Sequence, residues 1–146
     1  MATLAVDFMP YSGLIDGAAR SSWNRVRDSV LGHNESVEEL CALWRDCKHA
    51  GWDGYDATPI DRDAFLAASR LIQSLPLGFP RPSLGAEPDG QVTLEWRSSP
   101  NRTLSVSVDP NGYLHYAGLY GTSKRYGTLT FYAQAPDELI QLVRDV

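Results

Sequence analysis

Val92-Thr93-Leu94-Glu95-Trp96-Arg97 and Thr103-Leu104-Ser105-Val106-Ser107-Val108 alternate apolar and polar residues without a break. Successive side chains of a strand point to opposite faces, so each stretch has one apolar and one polar face. That is the pattern of an antiparallel sheet covered on one side only. Asp109-Pro110-Asn111-Gly112 follows as a turn, with Asn-Gly suited to positive φ. Tyr113 to Gly118 reads as a third strand and Thr128 to Tyr132 as a fourth. Between them, Leu119 to Gly127 reads as a polar loop carrying Tyr120, Lys124, Arg125 and Tyr126.

Helices are expected on both sides of this meander. Upstream, Ser36 stands three residues before Glu39, a capping-box spacing. Val37, Leu40, Trp44 and Cys47 then form an apolar stripe, which predicts a helix over 36–49. A second helix is predicted over 61–75, with Asp61 as its cap, Phe65, Ala68, Ile72 and Leu75 as its buried stripe, and Pro76 at its end. Trp23, Val26 and Val30 recur at helical spacing within 17–31, and Gly32-His33-Asn34 reads as a stop. Leu4, Val6 and Phe8 alternate, so residues 1–16 are either a short strand or a mobile N-terminal segment. Downstream, Pro136 fits the first turn of a closing helix, followed by Asp137 and Glu138 at its positive end and by Leu139, Ile140 and Val143 on its buried side.

The one shift in composition is at 76–90, with Pro76, Pro80, Pro82 and Pro88 among three glycines. Each flank is small for a core of its own, so this is a stiff crossover inside one domain spanning 1–146. The expected class is α+β: N-terminal helices, a four-stranded antiparallel meander, and a C-terminal helix packed on one sheet face.

Composition narrows the function. With 43% hydrophobic and 21% charged residues, the chain belongs to the globular class. No apolar run reaches the roughly 18 residues of a membrane helix. The first ten residues have no basic region of a secretory signal, and with two cysteines six apart the expected setting is the reducing cytoplasm. A net charge of −5 lacks the basic footprint of a nucleic-acid binder and suits docking onto a partner protein with a basic surface.

Chemistry-bearing patterns are sparse. The chain has no phosphate loop, dinucleotide fingerprint, paired CxxC or HExxH, and no cofactor is expected. Cys41, Cys47 and His49 include zinc-ligand types, but the two cysteines sit on different parts of one helix. Cys47 with His115 or His49 is a conceivable nucleophile pair, against the ordinary role of a small apolar helix residue. Asp53 and Asp56, with Asp89 or Glu95 near, are the paired carboxylates an acid–base site needs; turn acids more often cap backbone N–H groups.

Gly51-Trp52-Asp53-Gly54-Tyr55-Asp56-Ala57-Thr58-Pro59 joins the two predicted helices. Its glycines permit left-handed backbone and its aromatics can fold onto the core, as in a structural corner. The alternative is a recognition loop that uses Trp52, Asp53, Tyr55 and Asp56. The second candidate surface is Tyr120, Lys124, Arg125 and Tyr126, residue types favoured at interfaces.

Gly51-Trp-Asp-Gly-Tyr-Asp-Ala-Thr-Pro59, Glu87-Pro-Asp-Gly90, Leu94-Glu-Trp96 and Tyr116-Ala-Gly118, taken as a set, resemble an uncharacterised, widespread family of small bacterial proteins. The resemblance covers roughly residues 40–146; Asp56 stands where the family pattern has glycine. It implies accessory genes of mobile elements acting in toxin neutralisation, phage defence or its inhibition, and carries over no catalytic residue. The expected function is therefore non-enzymatic protein binding through Trp52–Asp56 and Tyr120–Tyr126. The alternatives are a small hydrolase or transferase using Asp53, Asp56 or His115, and weak single-stranded nucleic-acid binding by the sheet tyrosines with Lys124 and Arg125.

Overall fold

A computed structural model describes residues 33–146. The strand expected within 1–16 and the helix expected over 17–31 lie outside the described residues. Within them run a helix α1 over 33–47, helix α2 (Arg62–Ser74), strands β1 (Ser83–Ala86), β2 (Val92–Ser99), β3 (Arg102–Val108), β4 (Tyr113–Tyr120) and β5 (Ser123–Thr130), and helix α3 (Asp137–Arg144). The strands form one antiparallel meander in the order β1-β2-β3-β4-β5.

The class α+β holds, and three details are corrected. The sheet has five strands: the proline-rich crossover contains β1, which pairs with β2 from Ser83↔Glu95 to Ala86↔Val92. Leu119 to Gly127 is not a loop. Leu119 and Tyr120 close β4, and a two-residue turn, Gly121-Thr122, leads straight into β5. Gly121 has φ +69° and Thr122 has negative φ, the pattern of a turn that matches strand twist. Finally, His33 and Asn34 are already helical, so Ser36 lies inside α1, buried, rather than at its cap.

The core lies between the helices and one sheet face. Val92, Leu94 and Trp96 of β2, Leu104, Val106 and Val108 of β3, and Leu114 and Tyr120 of β4 point into it. Leu40 of α1, Leu71 and Ile72 of α2, and Leu139 and Val143 of α3 close it from the other side. Residues from both sides of the crossover share this core, as one cooperative unit requires. Asp61 caps α2 as its sequence position suggests, accepting from the N–H groups of Asp63 and Ala64. Arg81 pins the crossover to α1 through Glu35 and Glu39, both at 2.7 Å, and Trp96 Nε1 donates to the Pro80 carbonyl.

Candidate functional site

The 51–59 loop is held from within. Trp52 is half-buried against the core and its Nε1 donates to the Thr58 carbonyl at 2.9 Å. Asp53 Oδ1 accepts from the N–H groups of Tyr55 and Ala57. Gly51 and Gly54 both have positive φ. Tyr55, 85% exposed, and Asp56 are left to face water. The loop is stitched to the turn between β1 and β2: Thr58 N–H donates to the Pro88 carbonyl and Asp61 N–H to that of Gly90. Two of the sequence motifs, Gly51–Pro59 and Glu87–Gly90, thus meet along one backbone seam.

Tyr120, Lys124, Arg125 and Tyr126 sit elsewhere. Between β2 and β5 lie three strand spacings, roughly 14 Å, so the two surfaces named from sequence are at opposite sides of the sheet. Nor do the four residues share one face. Tyr120 is buried on the core side, its hydroxyl donating to the Leu142 carbonyl at 2.8 Å. Arg125 is on the same side, with its guanidinium 4.5 Å from the Tyr120 ring centroid and 2.7 Å from Asp145. That contact raises the Arg125 pKa, and the bonds from Arg125 and Gln141 lower that of Asp145. Both residues therefore fasten α3 to the sheet. Lys124 and Tyr126 alternate to the outer face, opposite Leu119 and Ala117.

That outer face carries no helix among the described residues and is dominated by serine, threonine and tyrosine. On it Tyr126 is 82% exposed and Tyr113 44%; Tyr132, also 82% exposed, follows the end of β5. A polar row crosses it: Thr93, Ser107, His115 and Thr128 are successive register partners on β2 to β5. Glu87 accepts from the hydroxyls of Thr93 and Ser107. His115 Nε2 lies 3.1 Å from Asp109 Oδ2, and its Nδ1 3.0 Å from Thr128 Oγ1. An ionised carboxylate only accepts, so Nε2 carries a proton; in the neutral imidazole Nδ1 then accepts from Thr128. Asp109, Glu87 and Thr128 had no place among the candidates drawn from sequence. The Asp-Pro-Asn-Gly turn was the available signal for Asp109, and Glu87 opens the Glu87–Gly90 motif; the strand register that fixes Thr128 is not written in any local motif.

The enzyme-type residues disperse. His115 engages Asp109 and Thr128, not Asp53 or Asp56. Cys47 is buried and Cys41 exposed. Burial, then the Asp46 carboxylate, push the Cys47 thiol above its ordinary value, away from a reactive thiolate.

Asp109 ties the row to the β3–β4 turn. Its Oδ1 accepts from the N–H groups of Asn111 and Tyr113. Burial alone would raise its pKa, but the bonds from Tyr113, His115 and Asn111 outweigh it and hold the carboxyl below its ordinary value. A lowered carboxyl pKa gives stability that is complete above the unfolded-state value and is lost as pH falls through the folded one. Asp109→Ala is expected to cost about 1–2 kcal/mol at neutral pH by urea unfolding. The gap to the unmutated chain should narrow below about pH 4; a gap independent of pH would show that ionisation contributes nothing.

No helix of the described residues is long and apolar enough to cross a membrane. Compared with known proteins, the chain matches no family model, no curated protein and no solved structure.

Proposed function

We propose that this chain is a non-enzymatic protein-binding module of the bacterial cytoplasm whose docking surface is the outer sheet face on the β4–β5 side. The carrying observation is the pair of exposed tyrosines, Tyr113 and Tyr126, beside a row of small hydroxyl side chains. Tyrosine supplies large contact area at low entropic cost, and serine and threonine supply adaptable hydrogen bonds, the composition of binding surfaces selected for protein recognition. The net charge of −5 favours a partner with a basic surface. The motif resemblance supports a role as an inhibitor or neutraliser encoded by a mobile element.

The test is affinity capture of the partner from the native host, followed by titration with variants. Tyr113→Ser with Tyr126→Ser should weaken binding about 30-fold or more, as loss of interface hot spots does, without changing the melting temperature. Tyr55→Ser, on the far side of the sheet, should leave affinity unchanged. The reverse outcome would move the docking surface to the Gly51–Pro59 loop.

A further inference from the structure

Taking the protein-binding reading as its basis, the geometry points to a second element of recognition: the free edge of β5 accepts an extended segment of a partner protein as a sixth, antiparallel strand. β5 ends the sheet and is eight residues long without a proline. The opposite edge, β1, has four residues and follows directly on Pro82.

Register identifies which backbone groups are free. Phe131 N–H donates to the Gly112 carbonyl. Counting inward in steps of two, the hydrogen-bonded pairs of β4 and β5 are Leu114–Leu129, Tyr116–Gly127 and Gly118–Arg125. The alternate residues Lys124, Tyr126, Thr128 and Thr130 therefore direct N–H and C=O away from the sheet. Unpaired edge groups of this kind are a template for another strand.

The two sides of the edge define the chemistry of the occupant. On the outer face, Lys124 is exposed and forms no ion pair among the described residues, whereas Arg125 is neutralised by Asp145. An acidic residue opposite Lys124 would supply the missing counter-charge. On the core side, a depression of about 420 Å³ opens between β5 and α3, lined by Tyr116, Arg125, Glu138, Gln141 and Leu142 together with the flanks of Lys124 and Tyr126. At Gly127 the Tyr116 ring occupies the space where a Cβ would stand, so the ring lies directly against the β5 backbone. An apolar side chain opposite Gly127 would enter over Tyr116 and Leu142. In an antiparallel strand the residue opposite Gly127 comes three before the residue opposite Lys124. The segment is thus apolar-x-x-acidic. A second copy of this chain fits poorly, because β5 contains no acid to meet Lys124 and each copy brings a net charge of −5.

The experiment is selection of a random displayed peptide library on the full chain, followed by amide hydrogen exchange with an enriched peptide. Enrichment of apolar-x-x-Asp/Glu and new protection at Lys124, Tyr126, Thr128 and Thr130 is the expected result. Thr128→Pro, which deletes one outward N–H, should bind the peptide about tenfold more weakly than Thr128→Val, which loses the same hydroxyl but keeps that N–H. Lys124→Glu should shift selection from acidic to basic residues, an independent readout if the proline variant folds poorly. No enrichment, protection elsewhere, or a concentration-dependent dimer that protects β5 without peptide would overturn the edge assignment. Loss of the edge with the Tyr113/Tyr126 effect intact leaves the protein-binding reading standing; loss of that effect alone leaves the edge.

Discussion

Gly118→Ala is expected to lower stability by about 2–3 kcal/mol, a large effect for a single methyl group. A Cβ at Gly118 would stand 2.6 Å from Cε2 of Tyr120 and 3.1 Å from its hydroxyl oxygen. The backbone at 118 has ordinary strand geometry, so the cost is steric and not conformational. The ring has no easy retreat. Its hydroxyl is bonded to the Leu142 carbonyl of α3 and Arg125 lies over its face. Moving it loosens α3 from the sheet or breaks the Arg125–Asp145 contact, and with either the depression beside β5 changes shape. A double-mutant cycle isolates the cause. Tyr120→Ala should itself destabilise through lost packing, but in that background Gly118→Ala should cost about 0.5 kcal/mol or less. Additive effects would show that the ring is not the obstacle.

How much of this was legible in sequence follows from what each element buries. β2 and β3 lie inside the sheet with one face in the core, so their alternation is strong and marks them as strands. β5 is an edge strand, exposed over most of its length, so it has little alternation to read. Its Lys124 and Arg125 look like loop residues because charge is what an edge tolerates. β1 is four residues, contains Gly85 and sits among prolines; it is a strand because β2 offers a partner, not because of its own propensity. The capping-box signature at Ser36 was overridden by tertiary burial: Ser36 and Leu40 face the core and the helix runs through them.

The candidate surfaces were half legible. Residue type singles out Trp52, Tyr120 and Arg125 as special, but type does not distinguish a side chain that fastens the fold from one that meets a partner. Trp52 and Tyr120 turn their polar atoms inward onto backbone carbonyls, and Arg125 lies against α3. Lys124 and Tyr126, neighbours of Arg125 in sequence, face outward only because a strand alternates, and a segment with the composition of a loop hides that alternation.

Gly90→Ala should cost about 3 kcal/mol or more. Part of this is conformational: Gly90 has φ +94°, which a residue with a Cβ adopts only under strain of about 1–2 kcal/mol. The rest is the seam. The new methyl would stand 2.9 Å from the Pro59 carbonyl oxygen and 3.5 Å from the Asp61 nitrogen, and both are backbone atoms that no rotamer change can move aside. Asp61 N–H donates to the Gly90 carbonyl while its side chain caps α2, so relief of the clash strains the cap, the β1–β2 turn and the Gly51–Pro59 loop together. Gly121→Ala provides the control. It also carries positive φ, +69°, but a methyl group there would meet nothing within 4 Å, so it should show the conformational cost of about 1–2 kcal/mol alone. Urea unfolding of the two variants reads the difference directly. A clear excess for Gly90→Ala would establish that the two motifs form a rigid seam between loop and sheet. Equal losses would mean that the loop yields freely, and a yielding loop with Tyr55 and Asp56 outermost would regain its claim as a recognition element.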